Sequence, residues 1–128
     1  QQFCEDQNKE SFKDISGVRP YKIWNWVQSN PCFEIWLYYH IYENTPDSND
    51  IEKCGTFKEF VSKSITGGFS LEKHPVFLED AIKNSQKNYR KCDDGMPDLY
   101  STELHLLGGE ILPFVKEELN KLKNKLRI

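Results

Sequence analysis

The feature that most constrains the fold of this chain is an aromatic segment at residues 21–42, YKIWNWVQSNPCFEIWLYYHIY. It contains all three tryptophans of the chain and four of its six tyrosines. Because each aromatic side chain can bury roughly 150–250 Å², no other segment can contribute as much to a hydrophobic core. Its apolar runs are far shorter than the roughly 18 residues that indicate a membrane-spanning helix, so we expect no membrane insertion.

Pro31 divides this segment. The residue before a proline is disfavoured in helical geometry, whereas Pro31 suits the first position of a new helix with Asn30 as its N-cap. We therefore predict one helix over residues 20–29 and a second, central helix over residues 31–43. The side chains that we expect to be buried in the central helix are Trp36, Leu37 and Ile41.

Two more helices are predicted from their start and stop signals. The capping box T-F-K-E at residues 56–59 opens a third helix, and residues 49–52 offer an earlier start. Gly67-Gly68 ends that helix in the manner of a C-cap. Pro75 opens a fourth helix, which we expect to end near Cys92.

The last segment carries an apolar residue at every third or fourth position, which is typical of a helix. These residues are Leu104, Leu107, Ile111, Val115, Leu119, Leu122 and Leu126. Pro113 would clash with the carbonyl group of Gly109, so we expect a kink or break at Gly108–Gly109. No segment alternates cleanly enough to be a strand. The sequence therefore predicts one all-α domain over residues 1–128, a compact bundle of five or six helices without a sheet.

The four cysteines, Cys4, Cys32, Cys54 and Cys92, are widely spaced and form no CxxC motif. An even number at such spacing is typical of two disulfides in an oxidising compartment, and the chain begins without a methionine, as a processed secreted protein would. If the third and fourth helices form an antiparallel hairpin, Cys54 and Cys92 lie at one end and Cys32 at the other. We therefore predict the disulfides Cys54–Cys92 and Cys4–Cys32; the alternative is four reduced thiols in a cytosolic protein.

The sequence contains no recognisable catalytic or metal-binding motif. Its three histidines, His40, His74 and His105, are far apart, and there is no HExxH, GxSxG, P-loop or Rossmann glycine pattern. The acidic residues lack the spacing of a calcium-binding loop. The net charge of −3 disfavours nonspecific nucleic-acid binding. We therefore expect no enzymatic activity, no metal, no cofactor and no nucleic-acid partner.

Surface aromatic residues are the best candidates for binding a partner. Trp24 and Trp26 diverge by about 200° on a helix, so both cannot point into the same core layer. Exposed tryptophan and tyrosine are typical of binding hot spots, although burial under the N-terminal segment is an equally simple outcome. The candidate partner-binding residues are Tyr21, Trp24, Trp26 and Tyr42, and the basic segment 116–127 is either an electrostatic contributor or a solvated helix face.

Two phrases, YKIWNWVQSNPCFEIWLYYH and CGTFKEFVSKSITGGFSLEKHPVFLEDA, resemble the anophensin/albicin family of anopheline mosquito salivary proteins. The resemblance covers roughly residues 20–90. It implies a secreted, disulfide-bonded, helical protein of saliva, expected to be a monomer, that aids blood feeding by binding host plasma proteins.

The target that the resemblance favours is the convertase of the alternative complement pathway. The alternative is contact activation through factor XII and kininogen, which would make the protein an anticoagulant. A rival function from another class is a carrier of small hydrophobic ligands, although odorant-binding proteins usually carry six cysteines.

Overall fold

The computed structural model of the chain describes residues 26–126, so predictions for residues 1–25 and 127–128 lie outside it. Its elements in chain order are β1 (Ser29–Asn30), α1 (Glu34–Tyr39), α2 (Ser48–Glu52), α3 (Phe57–Ser64), α4 (Leu78–Lys87), β2 (Ser101–Thr102) and α5 (Leu104–Lys125). A 3₁₀ turn at His74–Phe77 leads directly into α4. The described part of the chain is thus mostly helical.

A small antiparallel sheet joins the segment before α1 to the segment before α5. Ser29 lies opposite Thr102, and Asn30 lies opposite Ser101. The Ser29 and Thr102 hydroxyl oxygens are 2.7 Å apart, and Thr102 is fully buried. The predicted sheet-free bundle is therefore wrong, and Ser29 does not end a helix. Strands of two polar residues are too short to show the alternation of apolar side chains by which strands are recognised.

α1 lies at the centre of the molecule and is covered on two sides. The first core cluster consists of Ile35, Tyr38, Tyr39, Phe60, Val61 and Ile65, and the second of Trp36, Ala81 and Ile82. The prediction that Trp36 is buried is confirmed, whereas Leu37 is half-buried and Ile41 is exposed. The reason is length: α1 ends at Tyr39, so Ile41 lies beyond the helix that would have turned it inward.

The predicted helix caps agree with the structure more closely than the predicted helix lengths do. Thr56 Oγ1 accepts a hydrogen bond of 3.2 Å from the backbone N–H of Glu59, as the capping box requires. The earlier candidate start is a separate short helix, α2, capped by the Asp47 side chain. Gly67 and Gly68 have φ values of +78° and +76°, the left-handed geometry that favours glycine after a helix.

No disulfide forms among residues 26–126, so the predicted Cys54–Cys92 bridge is wrong. Cys32, Cys54 and Cys92 all carry free thiols, while Cys4 lies outside residues 26–126. Cys54 packs against the first core cluster, whereas Cys92 lies in an exposed turn. α4 ends at Lys87 and does not carry Cys92 back to the start of α3, where Cys54 lies, so the predicted hairpin register does not form.

α5 is one continuous helix of 22 residues that contains Pro113, so the predicted break is wrong. Pro113 has no N–H to donate to the Gly109 carbonyl, but Gly109 is exposed, so water can take that place. Gly108 is buried where α5 crosses α1 and α4. A Cβ atom there would lie 3.1 Å from Ile82 Cγ1 and 3.3 Å from Trp36 Cη2.

The two adjacent glycines provide a matched test of this contact. We expect Gly108→Ala to lower the free energy of unfolding, because the added methyl overpacks two buried side chains at a typical cost of about 1–3 kcal/mol. Gly109→Ala has nothing within 4 Å of the added Cβ, so the better helix propensity of alanine should raise stability by up to about 1 kcal/mol. Urea denaturation measures both variants. Equal stabilisation by the two substitutions would contradict the close contact.

Candidate functional site

One side of α5 carries apolar side chains that the described residues leave partly or almost fully exposed. We define the apolar stripe as Leu107, Ile111, Phe114 and Leu122, all of which are exposed. Phe114 is the extreme case, with 87 % of its surface accessible. Single exposed apolar residues are common, but a row of four along one helix indicates a binding surface.

Two apolar rows run along α5, and only one of them faces the core. The inner row is buried or half-buried and consists of Leu104, Gly108, Leu112, Val115 and Leu119. At 100° per residue, the apolar stripe is rotated from this row by about 100°. The close contact of Gly108 with Trp36 and Ile82 fixes which row points inward, so the stripe lies to the side of the core contact, about a quarter turn around α5.

A groove lies beside the stripe, near the start of α5. It has a volume of about 300 Å³ and is lined by Trp26, Val27, Leu106, Leu107 and Glu110. The lining is mostly apolar, with one carboxylate at its edge. Leu107 belongs to both the groove and the apolar stripe, so the two form one continuous surface.

The small sheet positions Trp26 in this groove. The backbone N–H of Gln28 donates to Glu103 Oε1 at 3.1 Å, and the N–H of Glu103 donates to the Gln28 carbonyl at 2.8 Å. Glu103 immediately precedes α5. The chain just before β1 is therefore held against the first turn of α5, which places Trp26 and Val27 beside Leu106.

The charges of α5 are separated along its length. The acidic residues Glu110, Glu117 and Glu118 lie in its first two-thirds, whereas Lys121, Lys123 and Lys125 lie in its last turns, with Lys116 between. Lys121 Nζ lies 3.6 Å from Glu117 and 3.4 Å from Glu118. Lys123 Nζ instead lies over the Phe77 ring at 5.8 Å. Glu110 thus lies near the start of the stripe and the lysines near its end, while Glu118 lies within it, four residues from both Phe114 and Leu122.

Of the four predicted partner-binding residues, the structure places one at this surface. Trp26 is 39 % exposed and lines the groove. Tyr42 lies elsewhere: its ring stacks on Tyr38 at 4.6 Å, and its hydroxyl donates to the Ser64 carbonyl. Tyr21 and Trp24 fall outside the described residues. Of the basic segment, Lys123 packs on Phe77, and the remaining lysines of α5 are exposed.

A second concavity, about 260 Å³, surrounds His40 and is lined by Ile41, Glu43, Phe77, Asp80 and Asn84. His40 Nδ1 lies 2.9 Å from the Trp36 carbonyl oxygen, which can only accept, so the neutral ring carries its proton on Nδ1. Asn84 donates to the Tyr39 carbonyl at 2.8 Å. None of the lining side chains bears a hydroxyl or thiol that His40 could activate.

The free thiols are also poorly suited to chemistry. Burial raises the pKa of Cys32, and its hydrogen bond with Glu34 raises it further. That hydrogen bond lowers the pKa of Glu34, and Lys58, with Nζ at 3.9 Å, lowers it too. Partial desolvation and then the charge of Asp98 raise the pKa of Cys92. Both thiols stay protonated near neutral pH, so neither is an activated nucleophile.

Residues 26–126 include no group of three or more His, Cys, Asp or Glu side chains placed to hold a metal ion. None of the helices in that range combines the length and the apolar composition that a membrane crossing requires. The absence of metal, cofactor and catalysis stays a prediction, as does the extracellular location.

A family model described as RloB-like protein matches residues 1–111, which is most of the 128-residue chain. The chain belongs to the RloB-like family. The match includes Trp26, both strands and the start of α5, and it ends at Ile111 within the apolar stripe. No curated protein and no solved structure matches the chain significantly.

This membership corrects the resemblance to mosquito salivary proteins. The phrases that carried the resemblance are aromatic and helical in pattern, and a pattern of that kind recurs wherever a helix is buried in a core. The function derived from it, a salivary inhibitor of complement or of contact activation, is therefore wrong, and the hydrophobic-carrier alternative is not retained. The free thiols remove the disulfide framework on which that interpretation depended.

Two buried histidines make stability depend on pH. Burial lowers the pKa of His40 and of His105, because the charged ring loses its hydration. Near His40, the charge of His74 lowers the pKa further, whereas the Trp36 carbonyl and Asp80 partly oppose the shift. In the unfolded chain both rings titrate near pH 6.5, so the unfolded state binds more protons just below that pH.

We therefore expect full stability from these groups above about pH 6.5 and a progressive loss as pH falls below it. The loss cannot exceed about 1.4 kcal/mol per pH unit for each histidine. Urea denaturation from neutral pH to about pH 5.5 measures the slope, and His40→Gln should reduce it. The lowered pKa values of Glu34 and Glu43 keep those carboxylates out of this window. A pH-independent free energy of unfolding would contradict the assignment.

Proposed function

We propose that this RloB-like domain is a non-catalytic protein-binding module. Its apolar stripe and the adjoining groove dock an amphipathic helix of a partner. The observation that carries the proposal is the exposure of Leu107, Ile111, Phe114 and Leu122 along one side of a long helix. Docking of an amphipathic helix against such a surface is a recurrent mode of protein recognition, read as apolar anchors three or four residues apart.

The dimensions of the surface suit this role. α5 has 22 residues and therefore extends for about 33 Å, roughly the length of a long partner helix. A standard interface buries about 800 Å² on each partner. Fully burying one exposed large apolar side chain contributes about 1.5–3 kcal/mol. Phe114 can supply most of that amount, whereas Leu107, Ile111 and Leu122, which are already more than half covered, supply less. Phe114, which has the most surface to lose, is the main anchor.

The scaffold keeps the cost of binding low. α5 packs on α4 and the 3₁₀ turn through its inner row, and the sheet holds Trp26 in place. A surface on a rigid helix loses little conformational entropy when it binds. The His40 concavity, by contrast, lacks a nucleophile, and its polar groups hold neighbouring backbone carbonyls. These features support binding rather than catalysis.

A labelled amphipathic peptide, with leucines at positions i, i+4, i+7 and i+11, tests the proposal by fluorescence anisotropy. We expect wild-type protein to bind the peptide and the double variant Ile111→Glu/Phe114→Glu to lose at least tenfold in affinity, because two buried anchors become charged. Both positions are exposed in the free protein, so circular dichroism should show an unchanged fold.

Leu71→Glu is the matched control, since Leu71 is 85 % exposed, precedes the 3₁₀ turn and belongs neither to α5 nor to the lining of the groove. It introduces one carboxylate in place of an exposed apolar side chain and should bind the peptide as the wild type does. Absence of binding by the wild type, or equal binding by all three proteins, would show that the apolar stripe is not a docking surface.

A further inference from the structure

We infer that the helix that docks on the apolar stripe is α5 of a second copy of this chain, with the two helices antiparallel. The inference rests on the proposed function, because it names the occupant of the same surface. It depends on where the charged and apolar residues lie around and along α5.

Two pairs of residues are related by the same spacing. Glu110 and Lys121 are 121 − 110 = 11 residues apart, and so are Ile111 and Leu122. Eleven residues are about three helical turns, so each pair lies along one edge of the stripe. Glu110 and Lys121 lie on one edge, while Ile111 and Leu122 lie on the other. Phe114 lies between the two edges, close to the midpoint of both pairs.

One twofold axis brings the members of both pairs opposite each other in a dimer. In a symmetric antiparallel dimer, a residue on one side of the axis meets the residue equally far on the other side in the second copy. An axis across α5 near Lys116 therefore places Glu110 opposite Lys121 of the second copy, twice. It also places Ile111 opposite Leu122 twice. By the same rule, Phe114 lies beside Glu118 of the second copy, and the two Phe114 side chains lie two residues on either side of the axis, where burial is greatest.

The separation of charge along α5 selects this orientation over a parallel one. A parallel pair would place Glu110 beside Glu110 and Lys121 beside Lys121, and like charges across an interface are unfavourable. Among the described residues, no cation lies within ion-pair distance of Glu110. The only described partners of Lys121 are Glu117 and Glu118 of the same exposed helix, contacts that are easily exchanged.

The groove beside the stripe extends the contact. Leu107 lies nine residues before position 116, so the same axis places residue 125 of the second copy over it. The last turn of that α5 thus covers the groove at Trp26, and the aliphatic part of Lys125 lies against Leu107. The contact then spans nearly the whole length of α5 in both copies, as the area of a stable dimer requires.

Sedimentation velocity of the full 128-residue chain, from micromolar to hundreds of micromolar, tests the inference. We expect a monomer–dimer equilibrium that Phe114→Glu abolishes and Leu71→Glu leaves unchanged. Glu110→Lys alone and Lys121→Glu alone should each raise the dissociation constant about five- to tenfold, because each change affects two symmetry-related pairs. The double variant Glu110→Lys/Lys121→Glu should restore it to within about twofold, because the opposite charges meet again.

A wild-type protein that stays monomeric at every concentration overturns the inference. If that monomer still binds the leucine peptide, the proposed function stands and only the second copy is wrong; if it does not, both are wrong. If residues 1–25 of the same chain cover the stripe, the protein stays monomeric and does not bind the peptide. A dimer whose single charge reversals have no effect, or whose double variant is not restored, overturns the antiparallel arrangement.

Discussion

The close approach of α5 to α1 and α4 at Gly108 is the contact on which the rest of the described structure depends. With no side chain at that position, the backbone of α5 lies against Trp36 and Ile82, so the three helices share one core. The contact also fixes the rotation of α5 about its own axis. Rotation by about 100° would bury Leu107 and Ile111 and expose Leu112 and Val115 instead. The binding surface is therefore a consequence of how the core is packed.

Local signals in the sequence predicted the elements that depend on neighbouring residues. The Thr56 cap and the Gly67-Gly68 turn each involve groups a few residues apart, and both are present in the structure. The β1–β2 pair and the continuity of α5 through Pro113 depend on distant contacts. Ser29 pairs with Thr102 across 73 positions, and no local pattern encodes such a pairing. The disulfides were predicted from cysteine spacing, which cannot show that Cys92 lies in an exposed turn away from the core.

Only part of the candidate site could be predicted from the sequence. The apolar period of the last segment was recognised, but its residues were not divided between a buried and an exposed row. Leu107, Ile111 and Leu122 belong to the outer row, and Phe114 was not selected at all. The number of apolar positions was the signal for a second, exposed row. Leu112 and Phe114 are additional to the predicted row, and one helix face cannot hold all of these side chains. Trp26 was chosen for its exposure, yet only the sheet shows that it lies beside α5.

The dimer requires that the apolar stripe be free in the isolated domain and covered when two copies meet. Hydroxyl-radical footprinting at increasing protein concentration tests it most directly, with Leu71 as an internal reference. We expect oxidation of Phe114 to be high in dilute solution and to fall as the concentration rises, while oxidation of Leu71 stays constant. Protection of Phe114 that is already complete in dilute solution, or exposure that never changes, would contradict it.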